Sequence, residues 1–451
     1  MSADTSFSQP ELPADWREVR LGSVTDIRFS SVDKLTIPSE KPVRLCNYTD
    51  VYNNDALTAD MEFMRASATP AEIERFGVQV GDVIITKDSE TPDDIGIAAV
   101  IDSAAPDMVC GYHLALIRPD KDEVEPAFLA KQLADHRIAR YFGKKANGLT
   151  RYGLPTGVVA DTLVWLPHLD TQREISRILR MVDEAIAKTE AVIAKLKQGR
   201  AGLLHDLLTR GLDENGQLRD PIAHPEQFQD SPLGRIPGEW EVASIESLLA
   251  PVPNAMRSGP FGSSLLKQEL KESGIPLLGI DNVHVERFVD AYTRFVDHAK
   301  FQELKRYSVS PLDIMITIMG TVGRCCVVPE TVGTALSSKH VWTISLDRTR
   351  YSPYLACWQI NHAFWALRQL RVDEQGGVMT AIRSETLRRL LLPVPTYQET
   401  IAIEKLLLEQ TRRIASEEAE LAKLNSVKSG LMTDLLTGRV RVPENILAAT
   451  Q

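Results

Sequence analysis

Cysteine is scarce in this 451-residue chain, and what there is forms no framework. Cys46, Cys110, Cys325, Cys326 and Cys357 are odd in number and contain no Cys-x-x-Cys spacing, which excludes a zinc or disulfide scaffold and suits a reducing compartment. Long apolar runs are also lacking, with nothing approaching the ~18 residues of a membrane span. The stretch from Met1 to Asp15 is polar and acidic and does not read as a signal peptide, so a cytoplasmic protein without membrane contact is expected. There is no Gly-x-Gly, which removes the usual glycine loop for a dinucleotide or S-adenosylmethionine. There is no Pro-Pro, so the Asn/Asp-Pro-Pro-aromatic motif of amino-methyltransferases is missing, and no P-loop, His-Glu-x-x-His or Gly-x-Ser-x-Gly. Positive charge is in deficit: 51 Lys and Arg against 61 Asp and Glu leave −10, which argues against indiscriminate coating of nucleic acid. No catalytic residue, metal ligand or bound cofactor is expected.

What is present is an internal repeat. Ala191-Val-Ile-Ala-Lys-Leu, running on to Gly202-Leu-Leu-His-Asp-Leu-Leu-Thr209, answers Ala419-Glu-Leu-Ala-Lys-Leu, running on to Gly430-Leu-Met-Thr-Asp-Leu-Leu-Thr437, with 10 of 19 positions identical. Trp16 answers Trp240, Gly81-Asp-Val-Ile-Ile-Thr86 answers Leu312-Asp-Ile-Met-Ile-Thr317, His113 answers His340, and Pro126 answers Pro353. Leu166-Pro followed by Gln172 answers Leu392-Pro followed by Gln398. A period this long marks a duplicated unit and not a solenoid.

Each copy ends in a long heptad pattern. Ile175, Leu179, Val182, Ile186, Thr189, Ile193, Leu196, Arg200, Leu203 and Leu207 alternate spacings of 4 and 3, and so do Ile403, Leu407, Gln410, Ile414, Glu417, Leu421, Leu424, Lys428, Leu431 and Leu435. The polar breaks Thr189/Glu417 and Arg200/Lys428 fall at matching positions. Two matched seams in one chain predict helices that pair with each other, the breaks helping to set register. The alternative is two amphipathic helices packed on separate cores. The boundaries read as a globular part over 12–165, a helical region over 166–211, an irregular linker over 212–232, a second globular part over 233–391 and a second helical region over 392–440.

The globular parts read as mixed α/β (α+β). Val78–Thr86, Gly96–Ile101 and Leu114–Ile117 are strand-like, with Val309–Ile318, Cys325–Val328 and Val341–Leu346 as counterparts. A helix follows in each, Pro126 to Phe142 and Pro353 to Leu370, with proline in the first turn. His113 and His340 are the most catalytic-looking residues, but neither has a nucleophile or carboxylate partner evident in the sequence, and a hydrogen-bonding role is expected. Cys325-Cys326 reads as small core residues.

Lys131 to Gly153 carries Lys131, Arg137, Arg140, Lys144, Lys145 and Arg151 against the single acid Asp135, with aromatic and amide residues interleaved. Cations and N–H groups suit phosphates, while Asn and Tyr suit base edges; a solvated helix face explains the same composition. In the first copy the candidate contacts are Arg28, Lys34, Arg44, Asn47, Tyr48, Lys87, Lys144, Lys145, Asn147, Arg151 and Tyr152. In the second they are Arg257, Ser258, Phe261, Ser263, Ser264, Lys267, Asn282, Arg324, Lys339, Arg371, Gln375, Thr380 and Arg383. Arg257-Ser-Gly-Pro-Phe-Gly-Ser-Ser-Leu265 has no counterpart in the first copy, so the contact loops differ most where the frameworks agree.

The order Pro-x-x-Trp, variable region, Gly-Asp-Ile-like strand, Leu-Pro-x-x-x-x-Gln, heptad helix, Gly-Leu-x-x-Asp-Leu-Leu-Thr, then Asp230-Ser-Pro-Leu-Gly-Arg-Ile-Pro-Gly-Glu-Trp240 and the same again, resembles the specificity subunit of type I restriction–modification systems. The resemblance spans essentially the whole chain. It implies two tandem target-recognition domains, each reading half of a bipartite double-stranded DNA site, separated by two helices paired as an antiparallel coiled coil. It implies docking of two methyltransferase subunits carrying S-adenosylmethionine, and of restriction/translocase subunits using ATP and Mg. One departure stands out: relative to the helix ends, Gln172-Arg-Glu-Ile175 and Gln398-Glu-Thr-Ile401 differ by two residues in phase. The other functional class open to the sequence is a protein-interaction adaptor built from duplicated α/β modules on a coiled coil.

Overall fold

The computed structural model describes residues 12–371 and 381–443. They form two compact units, Met1–Ala191 with Glu418–Gln451, and Val192–Glu417. Two long helices, Leu169–Thr209 (41 residues) and Tyr397–Leu436 (40 residues), each give one part to each unit.

In the first unit a five-stranded sheet runs in the order Thr25–Phe29, Leu114–Pro119, Val83–Thr86, Ala98–Ile101, Ala56–Leu57. A three-stranded sheet, Met64–Ala68, Lys41–Cys46, Met108–Cys110, lies in the same unit. The second unit repeats the central order as Met256–Ser258, Val341–Ile344, Ile314–Thr317, Cys325–Val327. A second four-stranded sheet there runs Phe295–Val296, Ile275–Leu278, Ala335–Ser337, Ser308–Val309. All four residues of Val83–Thr86 and of Ile314–Thr317 are buried, which is why both read as unbroken apolar runs. Each run is preceded by a tight turn with positive φ, at Gly81 (90°) and at Leu312 (67°). Behind each turn sits a buried aspartate that accepts from the turn's own backbone: Gln79 N to Asp82 at 2.7 Å, and Ser310 N to Asp313 at 2.8 Å. Its charge is met by Arg118 in the first unit (2.8 Å) and by Arg257 in the second (2.5 Å).

The single helix expected after each sheet is broken in two. Pro126–Leu133 stops, and Asp135 restarts the chain as His136–Lys145 by accepting from Arg137 N at 3.0 Å. Pro353–His362 and Phe364–Leu370 likewise meet at Ala363. Residues read as irregular linker are ordered: Phe228–Ser231 pairs with Gly234–Pro237, and Arg219 is buried against Glu399 at 2.7 Å. Gly211, at φ 62°, lies so close to Trp240 that an added Cβ would stand 2.5 Å from its ring, so the first helix must stop on glycine.

The two-residue phase difference has a simple origin. Arg17 pairs with Leu166, and Glu241 pairs with Val394, so the counterpart of Leu166-Pro167 is Val394-Pro395 and not Leu392-Pro393. Gln172 then corresponds to Thr400, Ile175 corresponds to Ile403, and the seams are in phase from their first residue.

Every seam position is buried or half-buried. In the first unit Ile175 and Leu179 share a cluster with Leu435 and Leu436, and Asp183 meets Lys428. In the second, Leu204, Leu207 and Leu208 share a cluster with Ile403 and Leu407, and Arg200 donates to Thr411 at 3.0 Å. Rising numbers on one helix meet falling numbers on the other, so each unit holds an antiparallel helix pair.

Candidate nucleic-acid interface

Each unit has a cleft beside the strand that His113 or His340 precedes. In the first unit it encloses about 490 Å³ and is lined by Lys34, Tyr48, Asp88, Glu90, Asp94, His113 and Arg151, among others. Its wall is a short helix, Tyr48–Asn53, started by Asn47, which caps it while Asp50 reaches back to Asn47 N at 2.7 Å. The spacing of one turn puts Tyr48 and Tyr52 on one face, and their rings stack at 5.6 Å. Burial first pushes the Tyr48 phenol up, while the hydrogen bond to Asp94 does so for Tyr52. His113 Nδ1 lies 3.0 Å from Asp88, which also takes Lys87 at 3.1 Å; the Lys87 ammonium stands 4.5 Å from the centre of the Tyr112 ring. Stacked phenols, an imidazole, two cations and three carboxylates can offer both donors and acceptors to base edges.

The basic stretch from Lys131 to Gly153 is less uniform than its composition. Lys131 is held by Asp55 and Asp183, each at 2.7 Å. Arg137 lies over the Trp165 ring at 3.9 Å and donates to Leu163 O. Burial lowers its pKa, against the pull of Asp135. Lys144 and Lys145, at the end of their helix, are exposed, as are Asn147 and Arg151. Asn147 and Gly153 exchange backbone hydrogen bonds at 2.9 Å, making a hairpin whose tip carries Leu149, 94% exposed. Tyr152 pairs with Ser89 across a two-stranded ladder and is half-buried.

Several candidates are engaged inside the fold. Arg44 grips Asp107 at 2.7 Å and Ala59 O at 2.6 Å; the hydrogen bond raises its pKa and lowers that of Asp107. Arg28 holds Asp26 and Arg75 O. Arg257 is spent on Asp313, Ser308 O and Ser345. Asn282, 2% exposed, uses its amide on Gly279 N, Val289 O and Ala291 O, which takes it off the surface. Each guanidinium or amide is thereby paired within its own unit.

In the second unit Lys267 and Lys339 line one cleft with Arg294, Ser338 and His340. Phe261, 59% exposed, and Ser263 stand on its loop, with Ser264 half-buried in the same turn. Ser258 and Arg324 are half-buried, and Arg371 and Arg383 are exposed. Gln375 and Thr380 lie outside the described residues. Sequence reasoning missed Tyr52, Asp88, Glu90, Asp94, Arg294 and Ser338; the one-turn spacing of Tyr48 and Tyr52 and the acids of Lys87-Asp-Ser-Glu-Thr-Pro-Asp-Asp94 were the available signals. All five cysteines are buried, burial pushing up the thiols of Cys46, Cys110, Cys325 and Cys326. Among the described residues no cluster of three metal-ligating side chains occurs, and no helix is long and apolar enough to cross a membrane.

The two units thus share an α/β framework and an antiparallel helix pair and differ in the furnishing of their clefts. Residues 13–198 match the family described as type I restriction modification DNA specificity domain. Along most of its length the chain is similar to type I restriction–modification specificity subunits. It is 24% identical over 380 residues to a Methanocaldococcus jannaschii protein provisionally assigned as the type I restriction enzyme MjaX specificity subunit, covering 82% of this chain and 81% of that one. It is 21% identical over 340 residues to the type I restriction enzyme EcoBI specificity subunit of Escherichia coli, covering 71% and 68%. Its fold is similar to the crystal structure of the type I restriction–modification system S subunit from M. genitalium, with a TM-score of 0.56, 13% identity and coverage of 94% and 96%. A chain solved in work on assembly and conformational transition of the type I system gives a TM-score of 0.52 at 16% identity, covering 95% of this chain and 100% of that one.

Proposed function

We propose that each unit of this specificity subunit reads one half of a bipartite site on double-stranded DNA. The chain is the non-catalytic, DNA-recognising component of a type I system, so reading and chemistry are divided between subunits. The helix pair docks two methyltransferase subunits, which supply S-adenosylmethionine and modify adenine, and its length sets the spacer between half-sites. Restriction/translocase subunits using ATP and Mg complete the assembly in the cytoplasm. The observation that carries the reading is a repeated framework with unlike clefts: acids and stacked tyrosines in the first unit, cations without acids in the second. Unlike contact surfaces on like frameworks suit two different short sequences. Phosphate contacts by exposed cations hold the duplex in place, and side chains entering the groove choose the bases.

Sequencing of modified bases in the native strain, with and without this gene, tests the reading. Loss of one bipartite adenine-methylation motif on deletion is the expected result. Retention of every motif would sink it.

A further inference from the structure

The second-unit cleft differs in kind from its counterpart. It encloses about 260 Å³ between the loop Pro260–Leu270 on one side and Ser338–His340 on the other. Pro260, Leu265 and Leu277 supply an apolar floor, and the polar lining is Lys267, Arg294, Ser338, Lys339 and His340, with no carboxylate. Arg294 leans on Asp281 behind the wall. Lys267 and Lys339 are exposed, and neither has a carboxylate partner among the described residues.

A second feature points the same way. Ser338 is 7% exposed, and its hydroxyl has no hydrogen-bond partner, although its backbone is fully used, accepting from Gly259 N at 3.1 Å and donating to Leu278 O at 2.8 Å. An unpaired buried hydroxyl is a cost that folded proteins seldom carry without a use for it. The loop closes on this residue because Gly259 has no side chain: a Cβ there would stand 2.0 Å from Ser337 O. His340 faces Lys339 and Arg294, and burial followed by those two charges holds its imidazole below the ordinary value.

Donors without acceptors call for a ligand made of acceptors. A duplex offers acceptors on base edges and on phosphates. Base edges lie recessed in the grooves and present donors as well as acceptors, so a site furnished with both, as in the first unit, matches them better than one of donors alone. Phosphates protrude from the duplex and suit a concave donor site. Resting on the DNA-reading function above, we infer that this cleft clamps one backbone phosphodiester, with Lys267 and Lys339 neutralising it and the Ser338 hydroxyl donating to it. Asp88, Glu90 and Asp94 exclude the same use of the first-unit cleft, so the two units grip the backbone differently.

The test uses the full methyltransferase complex on its native site, comparing wild type with Lys267→Ala/Lys339→Ala. Affinity at ~0.15 M salt is expected to fall roughly tenfold, and the slope of log affinity against log salt to lessen by about one. The methylated motif is expected to stay the same. Ser338→Ala, which removes an unpaired hydroxyl, is expected to melt as wild type does and to bind a few-fold more weakly. A changed motif would mean that the cleft reads bases, and unchanged affinity and slope would mean that it meets no phosphodiester; either overturns the inference. So does lysine-dependent binding of inorganic phosphate by the complex alongside intact DNA affinity, which would assign the cleft to a free anion. Failure of the wild-type complex to select any bipartite site would instead remove the reading beneath it.

Discussion

Lys428 stands 2.7 Å from Asp183, joining the second long helix to the first within the first unit. The approach is electrostatic, since its angle leaves Asp183 Oδ1 without a hydrogen bond. Lys428 also reaches Asp55 at 3.0 Å, and burial of Asp55 is outweighed by Lys131 and Lys428, which hold its pKa down. The second unit contains the same node in other residues. Arg200 answers Lys428, Thr411 answers Asp183, and Glu286 answers Asp55, joined there by His362 at 2.6 Å from Glu286. The polar interruptions at Arg200 and Lys428 are therefore points where the helix pair is fastened to each globular part.

Lys428→Ala should destabilise the first unit by ~1–2 kcal/mol, a modest loss because the site is partly exposed to water. The Lys428→Ala/Asp183→Ala double variant should lose less than the sum of the single changes, a coupling of ~1 kcal/mol in a thermal-melt cycle. Strict additivity would show that the pair does not fasten the helices.

Acid should loosen the second node. Burial raises the Glu286 pKa, but the His362 hydrogen bond and Arg200 prevail and hold it at about 2 instead of 4.5. A folded pKa below the unfolded one gives stability that is fully present above the unfolded value and is lost as pH falls through the folded one. Denaturant midpoints should thus decline between 4.5 and about 2, and Glu286→Gln should flatten that decline. An identical slope in the variant would remove Glu286 as its source.

The Arg219–Glu399 pair, each side chain 5% exposed, also receives Trp240 Nε1 at 2.9 Å and Leu212 N at 2.7 Å. Glu399→Ala leaves the buried guanidinium only the exposed Glu239 carboxylate, at 3.1 Å, strips Trp240 Nε1 and Leu212 N of their acceptor, and should cost ~3–5 kcal/mol. Arg219→Met/Glu399→Leu removes both charges and should recover much of that loss in the same melting assay. A double variant as unstable as the single one would mean that the pair's geometry, and not its charge balance, holds the segment.

Adding one heptad to each long helix lengthens it by ~10 Å, about three base pairs of duplex. Methylome sequencing of an active variant with matched insertions should return unchanged half-sites with a longer spacer. The same spacer would end the view of the helices as a ruler.

The repeat, the paired helices and the central strands were legible because each is written as periodicity, and periodicity survives without knowledge of neighbours. The clefts were not, since Asp88, Tyr48 and Arg151 come together only through sheet order. The helix break at Asp135 was hidden because its flanks continue the apolar pattern. The correspondence of Leu166 with Val394 was missed because Leu392-Pro393 and Val394-Pro395 offer the same dipeptide pattern two residues apart, and only strand register tells them apart. Charge misled most: Lys131 and Arg137 counted toward a basic surface, yet both are engaged inside the fold.

The first unit is closed by the two ends of the described chain. Arg441 lies 2.8 Å from Asp15, and Gly438 packs on Pro13 and Trp16. During synthesis, Val192–Glu417 emerges as one continuous piece, whereas the older unit waits for Leu435 and Leu436 to complete its core. The half made first is thus the half whose core is completed last.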